Sequence, residues 1–287
     1  RSLEHAIVSA ALTVPAPAKV NLFLHVTGRR ADGYHTLESL FALVDLADSI
    51  TLERRDDGAI VRTHDVKGVR TDEDLAVRAA RVLKEAAGVA AGVSLSIVKR
   101  IPMGAGMGGG SSDAASVLLA LNRLWALDWP RARLADLAAP LGADVPFFVG
   151  GTPAVARGIG DVLTPVTLPE LWLALVHPKA HVRTADIFNA PELTRNAASA
   201  KIDVFSEGYG RNDLAEVTCA RYPPVREALE ALRETAPEAR MTGSGACVFA
   251  AFDNREGAQR ALEGTRAVGS HYLVRTLSRH PLLGFAR

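Results

Sequence analysis

The chain has 287 residues, 48% hydrophobic, 23% charged and 6% aromatic, so Ala, Val and Leu can fill one large α/β unit or two modest lobes. That composition excludes a disordered chain. Lys plus Arg number 33 against 32 Asp plus Glu, so no global field recruits nucleic acid and any anion must be caught locally.

The first dozen residues mix charges with Ala and Ser without a secretory h-region, and with no initiator Met they read as a processed or engineered end. Val20, Leu22, Leu24 and Val26 alternate with Asn21, Phe23, His25 and Thr27, the period-two pattern of a strand with two distinct faces, which Gly28 ends. Lys19 opens that strand behind Pro15 and Pro17, and His25 reads as structural. Asp32, Gly33, Tyr34 and His35 combine turn chemistry with a ring that can stack and an imidazole that can hydrogen-bond. Further strands are expected at 49–53 and 93–98, where Val93, Leu95 and Ile97 share a face, with a helix over 74–87 between them.

After the third strand come Pro102, Met103, Gly104, Ala105, Gly106, Met107, Gly108, Gly109, Gly110, Ser111 and Ser112, with five glycines in the seven positions 104–110. Bare peptide N–H groups and the positive end of the helix that follows suit a phosphate chain. Ser111, Ser112 and Asp113 are the candidate N-caps of that helix, whose Val117, Leu118, Leu121, Leu124 and Trp125 repeat at helical spacing. The loop is not a P-loop, because Gly110 runs straight into Ser111 where a lysine is required. Gly104, Gly106 and Gly109 satisfy G-x-G-x-x-G, but Asp128, at the distance of a dinucleotide's ribose acid, follows helix-periodic residues instead of ending a second strand. Asn122 and Arg123 break the apolar stretch 117–127, and no run reaches the roughly 18 to 20 residues of a membrane span.

Residues 133–141 read as a short helix closed by Gly142, which leaves Asp144 on a constrained loop where Pro146 stops further helix. Beyond Gly150 and Gly151 the pattern predicts a strand over 171–176, a helix over 223–235, a strand over 246–251, a helix over 255–266 and a strand over 272–277. Met241, Thr242, Gly243, Ser244, Gly245 and Ala246 form a second small-residue loop, fit for close approach to a ligand or another loop. Cys219 and Cys247 are too few for a disulfide framework and lack metal-ligand spacing, so both read as buried small hydrophobes in a reducing cytoplasm.

Three segments, P-A-K-V-N at 17–21, P-M-G-A-G-M-G-G-G-S-S at 102–112 and T-G-S-G-A at 242–246, resemble the motifs of the GHMP kinases, and the likeness runs from about residue 15 onward. The resemblance implies a mixed α/β (α+β) fold of two lobes. An S5 domain 2-like ATP-binding lobe would span 14–160 and a ferredoxin-like α+β lobe 161–287, with ATP and a small-molecule substrate between them. It further implies transfer of the γ-phosphoryl group of ATP, accompanied by Mg²⁺, to a substrate hydroxyl, with Lys19 and Asp144 as catalytic pair and residues 102–112 holding ATP.

Asp32 to His35, L-G-A-D-V-P-F-F at 141–148 and T-A-D-I-F-N at 184–189 resemble the branch of the family that acts on a cytidyl substrate of isoprenoid synthesis. By that resemblance Tyr34 and Phe188 would sandwich the base, His35 would bond its edge, and Asn21 and Thr184 would line the substrate side. Asp113 and Asp74 stand where asparagine is common in the family, and Met107 where leucine is common, a volume-conserving exchange. The Asp113 carboxylate is expected in the first helical turn, favoured by the helix dipole and repelled by bound phosphates. A member acting on homoserine, mevalonate or a sugar would share the ATP loop without needing the ring pair. Balanced charge opposes an RNA-binding module, and the presence of both Lys19 and Asp144 opposes a catalytically silent nucleotide sensor.

Overall fold

The structure, a computed structural model, describes residues 11–198 and 210–287, so most of the N-terminal end set apart above lies outside the described residues. The chain opens with a long hairpin, β1 (Ala11–Arg29) and β2 (His35–Arg55), paired antiparallel with register shifts at Pro17/Lys19, Asn21/Phe23 and Val26/Gly28. Its turn is the expected one: Gly33 is left-handed at φ 91°, and the Tyr34 N–H donates to Asp32 Oδ1 at 3.2 Å. The first strand is longer than its alternating core, running through Gly28, and both of its faces are covered, so Asn21 and His25 are buried along with Val20 and Leu22. The strand expected at 49–53 is only the end of β2. Glu38, Ser39 and Asp48 interrupt the apolar pattern, yet each is buried with a partner, Arg157, Asn21 and Lys99 respectively.

The strands β3 (Ile60–Arg62) and β4 (Gly92–Val98) flank α1 (Leu75–Ala87), which buries Ala76, Val77, Ala79, Ala80 and Leu83 along one stripe. Asp74 caps α1 by accepting from the Ala76 N–H at 2.9 Å, and a left-handed Gly88 closes it. The next helix, α2 (Gly109–Leu124), is buried almost all round. It starts earlier than expected: Gly108 is the N-cap, so Gly109 and Gly110 are helical, Ser111, Ser112 and Asp113 are not caps, and Asp113 falls in the second turn rather than the first.

A short α3 (Arg131–Ala138) tightens into one 3₁₀ turn at Ala139–Leu141, and the chain then enters α4 (Val145–Gly150). Pro146 does not stop helix here; it sits in the first turn of α4, where its missing N–H has no bond to make. The hairpin β5 (Ala154–Arg157) and β6 (Val162–Pro165) follows, then β7 (Trp172–His177), α5 (Thr184–Phe188), α6 (Ala215–Arg221) and α7 (Pro223–Arg233). The chain ends through β8 (Arg240–Met241), β9 (Val248–Phe252), α8 (Arg255–Gly264) and β10 (Ser270–Leu277). Of these, β3, β5, β6, β8, α5 and α6 have no counterpart among the sequence expectations, being too short to show a period.

Among the described residues ten strands form one sheet in the order β3–β4–β2–β10–β7–β9–β8, with β1 and β5 also on β2 and β6 on β5. The final strand joins the two halves: Thr276 and Leu277 pair with Val44 and Leu43 of β2, while Ser270–Arg275 pair with β7. One core gathers around α2, with Leu95, Leu118 and Phe147, and another around α7 and β9, with Val225, Leu229 and Val248. Between them lies a central cluster with Val20, Leu40, Met107 and Phe249. Cys247 is buried in this cluster, whereas Cys219 is only half-buried, a correction to the expectation for that residue. Past β10 the tail turns back onto the first half. Leu282 enters the first core, the Arg131 N–H donates to the Arg287 carbonyl at 2.7 Å, and the Asn122 amide donates to the Phe285 carbonyl at 3.0 Å.

The two small-residue loops meet main chain to main chain. The Ala246 N–H donates to the Gly104 carbonyl at 3.3 Å and the Cys247 N–H to the Ala105 carbonyl at 3.2 Å. A Cβ at Gly106, which has φ +73°, would fall 2.5 Å from the Thr242 carbonyl oxygen and 2.9 Å from that of Gly245. Gly106→Ala is therefore expected to lose at least the ~1–2 kcal/mol of a left-handed non-glycine residue, read as a lower urea midpoint for the nucleotide-free protein.

Candidate active site

Lys19 is pinned beside the glycine loop by its own backbone, whose N–H donates to the Met107 carbonyl at 3.0 Å. Its side chain is 5% exposed. A buried ammonium needs partners, and three surround it: Asn21 Oδ1 at 2.8 Å, Asp144 Oδ2 at 3.5 Å, and the Phe41 ring with its centroid 4.4 Å from Nζ. The Asn21 side chain is oriented in turn, because its Nδ2 donates to Ser39 Oγ at 2.9 Å and so leaves Oδ1 for the lysine. The Asn21 backbone N–H donates to Thr242 Oγ1 at 2.8 Å, which ties β1 to the second small-residue loop. Asp144 occupies the N-cap position of α4 without a capping bond, so its carboxylate is turned to Lys19 instead of to the helix.

The glycine loop is anchored by what is not glycine. Ala105 and Met107 bury their side chains in the central cluster, which leaves glycine backbone on the open side. At Gly108, left-handed at φ +69°, a Cβ would meet the Phe148 ring at 3.0 Å and the Lys19 stem at 3.3 Å. From there α2 begins, and its first N–H groups, those of Gly109, Gly110 and Ser111, precede any intrahelical acceptor, whereas the Ser112 N–H already donates to Gly108. Three free amides at the positive end of a sixteen-residue helix favour an anion. The Ser112 side chain does other work: its buried hydroxyl donates to the Pro17 carbonyl at 2.6 Å and ties α2 to β1.

A cleft of about 630 Å³ opens over these groups, lined by Lys19, Asn21, Phe41, residues 102–111 and Asp144 from the first half. The second half adds Thr184, Phe188, Gly243 and Ser244, with Thr184 Oγ1 2.8 Å from Ser244 Oγ. His35 lies behind Phe188, ring centroids 5.2 Å apart, while the Tyr34 ring is 61% exposed and off the cleft walls. Of the residues given a catalytic, ATP-binding or substrate-binding role by the resemblance, all but Ser112, Tyr34 and His35 line the cleft directly.

Several groups of the site carried no local signal. Phe41 and Ser39 lie within the unrecognised part of β2. At the rim, Lys99 bonds both Asp48 and Asp113, the latter at 2.6 Å, while Asp48 also accepts from the N–H groups of Arg100 and Ile101 and so fixes the start of the glycine loop. Asp74, besides capping α1, pairs with the buried Arg62 at 2.8 Å. Asp113 is 4% exposed and shares its lysine with a second carboxylate. Burial, reinforced by Asp48 and only partly offset by Lys99, pushes its carboxyl up to about 7. Burial works to lower the Lys99 ammonium, but the carboxylates of Asp113 and Asp48 outweigh it and raise the pKa.

A glycine loop opening a long helix beside a buried Lys–Asp pair is the layout of a phosphotransferase. Residues 74–152 match the GHMP kinases N terminal domain and residues 196–271 the GHMP kinases C terminal family. The chain is 51% identical to a 4-diphosphocytidyl-2-C-methyl-D-erythritol kinase of Cupriavidus metallidurans, over 95% of each chain. It is 55% identical to one of Thiobacillus denitrificans, over 94% of this chain and 97% of the other. A crystal structure of 4-(cytidine 5'-diphospho)-2C-methyl-D-erythritol kinase superposes with a TM-score of 0.82 at 37% identity, over 92% of this chain and 99% of that one. A homoserine kinase from Cytophaga hutchinsonii, at 18% identity and TM-score 0.72, shares the fold. The chain belongs to the GHMP kinases.

The raised carboxyl of Asp113 has a sign that can be tested. Its folded pKa of about 7 lies above the ordinary 3.8, so the folded chain binds the proton more tightly and loses stability as pH rises between those values. Asp113→Asn lacks that slope, and its Tm relative to the parent is expected to be more favourable at pH 8 than at pH 5, measured by thermal unfolding without nucleotide.

Proposed function

We propose that the chain transfers the γ-phosphoryl group of ATP to the 2-hydroxyl of 4-diphosphocytidyl-2-C-methyl-D-erythritol, an early step of the non-mevalonate route to isoprenoid precursors. The observation that carries this reading is the Lys19–Asp144 pair, 3.5 Å apart at the foot of the glycine loop, in one cleft with Phe188, whose ring lies against that of His35 outside the cleft lining. Relatives 50–55% identical carry that substrate in their names.

Phosphoryl transfer goes through a loose transition state, so the protein's part is alignment and charge. In this reading the amides of Gly109, Gly110 and Ser111 hold the phosphates, Asp144 accepts the hydroxyl proton as the bond to phosphorus forms, and Lys19 steadies the developing negative charge. Asn21 and Thr184 line the acceptor side. Alignment of two bound reactants is worth roughly 7–11 kcal/mol, more than one proton transfer supplies.

Mg²⁺ accompanies ATP in this reading and neutralises phosphate charge. Among the described residues no group of three or more His, Cys, Asp or Glu side chains could cage a metal. The donors beside the loop, Ser111 and Asp144, fit an ion that keeps most of its ligands as phosphate oxygens and water. In this reading Tyr34, exposed at the hairpin turn, supplies the second ring of the base sandwich with Phe188. Among the described residues no helix is long and apolar enough to cross a membrane.

The test of the reaction is an ADP-release assay offering the diphosphocytidyl methylerythritol, homoserine and mevalonate in turn; turnover with the first alone supports the reading, and turnover with another sinks it. Lys19→Ala and Asp144→Asn are each expected to lower kcat by about a hundredfold or more in that assay. Tyr34→Ala should raise the KM for the cytidyl substrate by the equivalent of about 1–3 kcal/mol of lost stacking and leave the KM for ATP in place. An equal rise for both ligands contradicts the base-stacking role.

A further inference from the structure

His35 opens β2 and is 8% exposed, and its Nε2 lies 2.8 Å from Nε of Arg195. A guanidinium offers donors only and keeps its proton in proteins. The bond therefore needs a lone pair on Nε2, and a neutral imidazole with a lone pair there carries its hydrogen on Nδ1. Burial lowers the pKa of the ring, and the positive charges of Arg195 and Arg29 lower it further, which keeps the imidazole neutral.

Arg195 is itself held on every side. Its Nη1 donates to the Leu193 carbonyl at 2.9 Å, and its Nη2 donates to the carbonyls of Ala190 at 2.7 Å and Phe188 at 3.0 Å. One side chain thus ties the imidazole to the turn that follows α5, the helix whose last residue is Phe188. Tethering both pins the spacing of the His35 and Phe188 rings.

We infer that Arg195 is a positioning residue for base recognition: by occupying Nε2 it makes His35 Nδ1 a hydrogen-bond donor, matched to cytosine and mismatched to uracil. Cytosine presents acceptors at N3 and O2, whereas uracil presents an N–H at position 3. A donor facing N3 bonds the first and opposes the second. Without Arg195 the ring is free to move its hydrogen to Nε2, and Nδ1 then accepts from uracil. The inference rests on the cytidyl reading of the substrate, and the experiment separates the two.

The test compares the parent with Arg195→Met and Arg195→Lys in two measurements. In the first, kinetics with the cytidyl substrate and its uridyl counterpart, Arg195→Met is expected to raise the cytidyl KM about tenfold, the worth of one hydrogen bond. It should lower the cytidyl-over-uridyl preference in kcat/KM by a similar factor, with the KM for ATP unchanged. Arg195→Lys, which keeps a donor but not the fork, should recover part of the preference. In the second, ¹⁵N NMR of the imidazoles should show His35 protonated on Nδ1 in the parent and shifted toward Nε2 in Arg195→Met. An unchanged base preference with both KM values raised alike, or an Nε2-protonated ring in the parent, overturns the inference. Should the parent not prefer cytidyl over uridyl, the substrate reading fails, and the tautomer in parent and variant still decides whether Arg195 sets the ring.

Discussion

Where Gly106 passes the carbonyls of Thr242 and Gly245, two main chains run closer than any side chain allows, and the cleft is built outward from that contact. Because the loops lie backbone on backbone, Ala105 and Met107 can bury their side chains in the shared cluster while the glycines face open space. The same seating places Met107 so that its carbonyl receives the Lys19 N–H, and Thr242 so that its hydroxyl receives the Asn21 N–H. The glycine loop, the strand with the lysine and the loop of the second half are therefore one unit, and a shift in any of them moves the others.

Around Lys19 the chain spends three different kinds of interaction on one ammonium: a neutral amide oxygen, a carboxylate and an aromatic face. Of the Lys19–Asp144 pair, the carboxylate is the more exposed side chain. The amide and the ring hold the cation from the buried side. At the rim the logic is repeated with structural intent: Asp74 is met by Arg62 and Asp113 by Lys99, so each carboxylate found where the family commonly has asparagine has a basic partner beneath it. Lys99 is divided between two acids, which leaves Asp113 the less compensated of the rim carboxylates.

The glycine loop and the 242–246 loop could be picked from the sequence because backbone exposure and turn chemistry leave a compositional mark, whereas Lys19 and Asp144 stood out only through the resemblance to the GHMP kinases. Long periodic elements such as α1 and α7 were legible for the related reason that one face must be apolar. The missing part of β2 was not, since Glu38, Ser39 and Asp48 are buried polar residues whose partners lie up to 119 residues away, and no local pattern reports such pairing. The start of α2 was misplaced because a left-handed glycine can cap a helix without a side chain, so Ser111 to Asp113 offered caps that the chain did not use. Arg195 is the extreme case: its partners are one ring nitrogen and three carbonyls, none of which has a sequence signature.

The tail beyond β10 works as a clasp on the first half. Leu282 fills a place in the core that surrounds α2, and Arg131 and Asn122 hold carbonyls from the last few residues of the chain. The strip that closes the core around α2 is thus supplied from the far side of the second half, with 155 residues of chain between Arg131 and the Ala286 carbonyl it holds. Without residues 282–287 the first half keeps an open seam, so a strip far from α2 in sequence governs how tightly the core beneath the glycine loop is packed.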